Sequence, residues 1–251
     1  MKQKQRIAFL FLCMVAVALI LGACDSDSGN NGSEMVGDSS SSVECTNTYG
    51  TNTVTDCRDG QTYRTAMIGT QTWMAENLNY ADSVSMTNLK GNSWCYDNSA
   101  DSCAKYGRLY TWTAAMNIAS SYQSTTACAV ISTPHQGACP AGWHIPTSAE
   151  WISLENYVGG FRTAGTYLKA TSGWTSYSGI SNLDSYGFSA LPGGYHSGSD
   201  FGLVGYNGIW WTAMGHSSTF AYSQLMSYSR TLVYESYNDK TYGRSLRCLK
   251  D

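Results

Sequence analysis

Charge is scarce in this 251-residue chain: Asp, Glu, Lys and Arg together make up 13% of it, about half the usual share. Basic residues are outnumbered by acidic ones, 15 against 18. That balance excludes nucleic acid as an expected partner, because such affinity comes from neutralising phosphates with Lys and Arg. No Cys-x-x-Cys pair occurs, and none of the four His stands at ligand spacing from a cysteine pair. Neither a metal centre nor a cofactor is therefore expected. No repeat of fixed period is present, which sets solenoids aside. The longest apolar run, residues 7–21, has fifteen residues, short of the ~20 that a spanning helix needs.

That short run has a different use. Lys2, Lys4 and Arg6 precede it, and Leu21, Gly22, Ala23 and Cys24 close it in the manner of a bacterial lipobox. Residues 1–23 read as a signal peptide and Cys24 as the site of lipid attachment. Residues 25–44 are Ser, Gly, Asn and acidic side chains with almost nothing to bury, so residues 24–52 are expected to form a disordered tether. As a flexible coil its first twenty residues reach about 25 Å on average. Asp25, Asp27, Gly29 and Glu34 lack the ligand order of an EF-hand loop and read as part of that tether. Removal of the signal takes away three basic residues and no acidic one, leaving twelve against eighteen, a formal charge of −6. The expected location is the bacterial cell envelope, outer membrane or cell surface, with the membrane engaged through the N-terminal lipid.

Nine cysteines suit an exported protein rather than a reducing cytosol. With Cys13 in the signal and Cys24 acylated, seven remain: Cys45, Cys57, Cys95, Cys103, Cys128, Cys139 and Cys248. An odd number leaves at least one thiol free or joined to another molecule. Cys95 and Cys103 bracket a polar turn, and closing it stabilises by roughly 2.6 kcal/mol in the chain-entropy model. A bridge from Cys139 to Cys248 staples the middle of the domain to its last strand, worth roughly 5 kcal/mol on the same model.

Residues 53–251 fit one large domain. Residues 53–57 alternate, Asp59-Gly60 is a hairpin signal, and residues 63–68 return as a strand before Gly69-Thr70. Trp112, Ala115, Met116 and Ala119 stand at helical spacing and predict a first helix over residues 110–119. Thr147 and Glu150 form a capping box, Trp151, Leu154 and Val158 make one stripe, and Gly159-Gly160 ends the second helix. A short third helix is expected over residues 163–170. Residues 188–191, 209–214, 220–226, 232–237 and 245–249 read as short strands. Helices early and strands late, without βαβ alternation, argue for an α+β fold with antiparallel pairing and long loops.

The residues also carry a family likeness. DCRDGQTYRTAMIGTQTWMAENLNY at 56–80, CYDNSADSCAKYGRLYTWTAAMN at 95–117, CPAGWHIPTSAEW at 139–151, YGFSALPGGY at 186–195 and RSLRCLKD at 244–251 resemble the Fibrobacter succinogenes major paralogous domain. The resemblance implies a C-type lectin-like domain of two to three helices, short antiparallel strands and long loops, distantly related to formylglycine-generating enzymes. The family more often has Ser at the place of Cys57, which implies that this extra thiol pairs with Cys45 or with Cys128. The proline-centred calcium triads of lectins have no counterpart around Pro134, Pro140, Pro146 or Pro192, so calcium-dependent sugar binding of that type is not implied. The family brings a surface location and many paralogues, and no established activity.

The uncharged, aromatic-rich composition, with 18 Tyr and 8 Trp, points to a non-catalytic module that recognises a surface glycan or an envelope protein. For any single ring, burial in a loop-rich core is the ordinary outcome. Tyr206, Trp210, Tyr237 and Asn238 are the expected ligand contacts; Trp210 and Trp211 alternate along one strand, so one of them is expected to face outward. The alternatives are a structural envelope protein with an intermolecular disulfide, or a cysteine oxidase of the formylglycine-generating type using Cys128 or Cys139 near His135 or His144. Carboxylate pairs such as Glu150 with Glu155 or Asp184 with Asp200 are not singled out by spacing, and Glu150 is already explained as a cap.

Overall fold

The structure, a computed structural model, describes residues 45–127 and 130–251. The signal segment, Cys24, residues 25–44 and Cys128 lie outside them. The folded unit runs Cys45–Asp251 and so takes in residues 45–52, which composition alone joins to the tether.

In chain order the first strands are β1 (Thr48–Gly50), β2 (Thr53–Thr55), β3 (Thr62–Ile68), β4 (Gln71–Met74) and β5 (Ser93–Trp94). Then come α1 (Ala100–Tyr106), β6 (Leu109–Tyr110), α2 (Trp112–Ala115), β7 (Trp143–His144), α3 (Ser148–Tyr157) and α4 (Ala164–Leu168). The last stretch is all strand: β8 (Gly193–Ser197), β9 (Asp200–Val204), β10 (Asn207–Gly215), β11 (Phe220–Ser227), β12 (Val233–Asp239) and β13 (Leu249–Lys250). Mostly antiparallel strands in small sheets, with four α-helices among the described residues, make this a mixed α and β fold.

The largest sheet has six strands in the order β1-β2-β3-β4-β13-β7. Its first four strands follow one another, with Gly60 and Gly69 in the turns at φ 74° and 64°, a region open to glycine at little cost. β13 comes from the far end of the chain and inserts between β4 and β7, pairing Leu249 with both Trp73 and His144. Three disulfides close the unit: Cys95–Cys103, Cys139–Cys248, and Cys45–Cys57, which decides the partner of Cys57. α3 begins on the expected capping box, with Thr147 Oγ1 accepting from the Glu150 amide and the Glu150 carboxylate accepting from the Thr147 amide. It stops before Gly159 and Gly160, both at positive φ.

Several expectations are corrected. The helix foreseen over residues 110–119 is only the four residues of α2, because Thr111 caps its start and Asn117 turns to φ 52° just beyond it. α1, a fourth helix where two to three were expected, begins inside the stretch read as a polar turn and runs three residues past Cys103; of its seven residues only Cys103 is buried, so it shows no stripe. Gly107 ends α1 at φ 72°, and a Cβ there would sit 2.8 Å from the carbonyl oxygens of Asn77 and Leu78. Residues 188–191 form no strand; Phe188 packs in the core and Ala190 makes one parallel bridge to Lys169. Within residues 245–249 only Leu249 joins a named strand, while Ser245 bridges to Trp210. The β8–β9 hairpin was hidden by its glycines.

The meander β10-β11-β12 is covered on both faces. Trp210, Met226 and Val233 pack with Trp151, Leu154 and Val158 of the α3 side. Trp211, Ala213 and Ala221 pack with Trp112, Trp143, Cys139 and Cys248. Both tryptophans are therefore fully buried, and the alternation that was expected to expose one of them instead sends each into its own core.

Buried cations stitch these layers together through oxygen rather than through acids. Lys169 Nζ donates to the carbonyls of Ser227 and Arg230 at 3.0 and 2.8 Å. Lys240 Nζ donates to those of Tyr122, Thr125 and Ser218 at 2.8 to 2.9 Å. Arg247 is held by Asn77 Oδ1 and the Phe188 carbonyl, and burial pushes its guanidinium down to about 9. Arg244, pushed down by burial to about 10, donates to Asn238 Oδ1 and lies near the rings of Tyr195 and Tyr242.

Candidate functional site

A cleft of about 200 Å³ opens where the loop after α4 meets the β9–β10 and β11–β12 turns; its walls include Thr171, Trp174, Tyr177, Asn182 and Tyr228. Three of the walls are pinned by backbone or side-chain bonds. Trp174 Nε1 donates to the Ala190 carbonyl at 2.9 Å, the Thr175 amide donates to Gly205 at 2.7 Å, and the Tyr228 amide donates to Tyr206 at 2.8 Å. Gly205, at φ 82°, makes the turn that delivers Tyr206 to the rim.

Three tyrosine rings meet edge to face there. Tyr206 and Tyr228 stand at 87° with centroids 5.0 Å apart, and Tyr177 and Tyr228 at 89° and 5.5 Å. Tyr177 is 51% and Tyr206 43% exposed, so both show ring surface to solvent. Asn182 belongs to the lining, and its Oδ1 is buried without a hydrogen-bond partner. No charged residue lines the cleft. Lys169 lies behind Trp174, 5.1 Å from its ring, and burial pushes it down to about 8; its hydrogen bonds are spent on the two carbonyls already named.

The four expected ligand contacts are dispersed. Tyr206 is at this rim. Tyr237, 57% exposed, belongs to a second aromatic group, stacked on His216 at 4.5 Å and 14° with Phe220 at its edge. Trp210 is corrected to a core residue, its indole donating to Asn77. Asn238 faces the other side of β12 from Tyr237, and its amide is committed to Ser223 and Arg244; it is a positioning residue for Arg244. Trp174, Tyr177 and Tyr228 were not foreseen, although the run GWTSYSG at 173–179 has the same aromatic and small-polar make-up as the stretches that were chosen.

Most of the groups considered for catalysis are engaged elsewhere. Cys139 is fully buried in its disulfide with Cys248. His144 lies between Asp251 Oδ1 at 2.6 Å and Glu150 Oε1 at 2.9 Å. Burial alone would lower its pKa, but the hydrogen bonds to Glu150 and Asp251 raise it above the usual imidazole value. His135 Nε2 meets the Met116 carbonyl at 2.7 Å, and Asp184 accepts from the Ser189 amide and hydroxyl, both at 2.7 Å. Cys128 is outside the described residues. Among the described residues no three or more His, Cys, Asp or Glu side chains are grouped to hold a metal ion, and no helix is long and apolar enough to cross a membrane.

No curated protein and no solved structure shows significant similarity to the chain. The family profile of the Fibrobacter succinogenes major domain matches residues 67–250, from the end of β3 through β13 and with the whole tyrosine cleft inside the match. The chain belongs to the Fibrobacter succinogenes major domain family.

Proposed function

We propose that this protein is a non-catalytic binding module of the bacterial envelope, held by a lipid on Cys24, and that its tyrosine cleft recognises a neutral glycan. The observation that carries the reading is an uncharged cleft lined by Tyr177 and Tyr228, which stand edge to face with Tyr206 packed on Tyr228, and by Asn182, whose amide oxygen Oδ1 is unpartnered. Tyrosine rings stack on the apolar faces of sugars, and a buried acceptor selects a hydroxyl donor, while the absence of charge on the walls favours a neutral over an ionic ligand. The finer fold assignment, a C-type lectin-like domain, belongs to the same proposal; small antiparallel sheets and a closing strand stapled by Cys139–Cys248 support it. A glycan array probed with the purified chain, repeated with Tyr177→Ala and Tyr228→Ala, tests the cleft. Binding that neither substitution weakens would remove it. Labelling with a radioactive fatty acid, with Cys24→Ser as control, tests the anchor.

A second reading is favoured by the cysteine count. Six of the seven cysteines that follow Cys24 are paired within the chain, and a Cys128 bridge to a neighbouring molecule would make the protein a structural envelope component. Non-reducing electrophoresis separates the two: a dimer lost in Cys128→Ser supports the structural role, and a monomer supports the binding role.

A further inference from the structure

Glu155 projects from α3 and is 6% exposed, yet no hydrogen bond reaches its carboxyl among the described residues. One turn earlier on the same face, Trp151 packs against Trp210 with ring centroids 6.0 Å apart, so this face of α3 lies over the meander. Gln224 of β11 is paired across the sheet with Trp210 on one side and Glu235 on the other. Residues directly opposite in an antiparallel ladder share a face, and Met226, two residues along, packs in the α3-side core. Gln224 therefore projects toward α3 beside Glu235. It is 1% exposed, and its Oε1 has no hydrogen-bond partner.

Two carboxyls and an unpartnered amide oxygen thus come to the α3–meander interface, with Glu235 near enough for its charge to act on Glu155. Burial, with the nearby charge of Glu235 added, pushes Glu155 up to about 7. The same two effects raise Tyr222, the diagonal neighbour on this face. The buried cation that follows α4, Lys169, is already committed to Ser227 and Arg230. Two like-charged carboxyls beside a buried oxygen that has no donor of its own are costly together unless a positive, lone-pair-free group completes them.

We infer that Glu155, Glu235 and Gln224 form a binding site for a hard divalent cation of the calcium type. All three donors are oxygens, which select such cations over those that prefer nitrogen or sulfur. Two carboxylates and one amide supply up to about five oxygens, and Glu235 opens to solvent, so water fills the remainder of a coordination shell of about six to eight. The amide of Gln224 takes the place that a third acid holds in a more acidic site. Nothing in this inference depends on the glycan cleft, which lies on other loops.

Terbium is the probe, because Trp151 and Trp210 border the site and sensitise its emission when it binds. Titration of the full chain is expected to give saturable emission that calcium displaces, with an affinity of about 10⁻⁴ to 10⁻³ M. Glu235→Gln, at an exposed strand position, is expected to weaken binding at least about tenfold while leaving the circular dichroism unchanged, and Glu155→Gln to abolish it. The inference is overturned if terbium gives no sensitised emission at ten times about that concentration, or if Glu235→Gln leaves the titration unmoved. It is also overturned if the carbon NMR titration of Glu155 is the same with and without calcium, which would mean that the pair shares only a proton.

Discussion

Asn77 Oδ1 accepts from Arg247 twice, at 2.7 Å from Nη2 and 3.1 Å from Nε, and once more from Trp210 Nε1 at 2.8 Å. One amide oxygen thus holds a fully buried guanidinium and a fully buried indole in place. Its Nδ2 donates to the Tyr106 carbonyl at 2.8 Å, which ties the end of α1 into the same junction. Asn77→Ala strands a buried charge and is expected to destabilise the domain by about 3 kcal/mol or more. Asn77→Asp keeps the acceptor, gains a countercharge and loses only the donor to Tyr106, so its loss is expected to be smaller. Urea unfolding with unchanged slope measures both; equal losses would show that the oxygen is not the organising atom.

The imidazole between Glu150 and Asp251 makes stability depend on pH in a defined sense. His144 has a folded pKa above its usual value near 6.5, so its contribution is complete below about 6.5 and is lost as pH rises through the raised value. Burial would raise Glu150, but its hydrogen bonds with His144 and Thr147 hold it below its usual value near 4.5. Its contribution is complete above about 4.5 and disappears as pH falls through the lowered value. Wild type should therefore exceed His144→Gln most between about 4.5 and 6.5, and the gap should narrow above that range. Thermal unfolding of both proteins across that series decides it, and a gap that widens toward alkaline pH would reverse the assignment.

Disulfide loops differ enough to be ranked. Cys139 and Cys248 are 109 residues apart, whereas Cys95 and Cys103 are 8 apart. In the chain-entropy model the double serine variants lose roughly 5 and about 2.6 kcal/mol respectively. Denaturation of each variant gives the order, and an inverted order would mean that native packing, not unfolded-chain entropy, sets the cost.

A core role for Trp210 and a surface role for Tyr177 are told apart by two substitutions. Trp210→Ala opens a cavity in the α3-side core and is expected to cost about 3–5 kcal/mol. Tyr177→Ala removes a half-exposed ring and is expected to leave stability within about 1 kcal/mol. In a glycan-binding protein the latter still lowers affinity about tenfold or more. Parallel unfolding and binding curves separate the two effects.

Local signals were legible where one residue type has one job. Thr147 with Glu150, and Gly159 with Gly160, delimit α3 in the sequence as they do in the structure. The Asp59-Gly60 turn and the pairs Cys95–Cys103 and Cys139–Cys248 read equally well. What stayed hidden is long-range. The oxygen cages around Lys169 and Lys240 are built from backbone carbonyls, which every residue carries, so no pattern of side chains announces them. The cleft is lined by Tyr177 and Tyr228, with Tyr206 packed on Tyr228, each unremarkable in its own loop, and only the packing of three turns makes them neighbours. Trp210 was misplaced for a related reason: alternation describes one sheet, and says nothing of what covers its second face.

The strand order also dictates a schedule. Because β13 slots between β4 and β7 and carries Cys248 next to it, the central sheet stays open along an inner seam until residues 249 and 250 are in hand. A polypeptide that emerges amino end first cannot zip that seam early. Completion of the sheet and oxidation of Cys139 must await the arrival of the tail, so fragments that stop short present an unfilled groove to the proteases that clear unfinished chains.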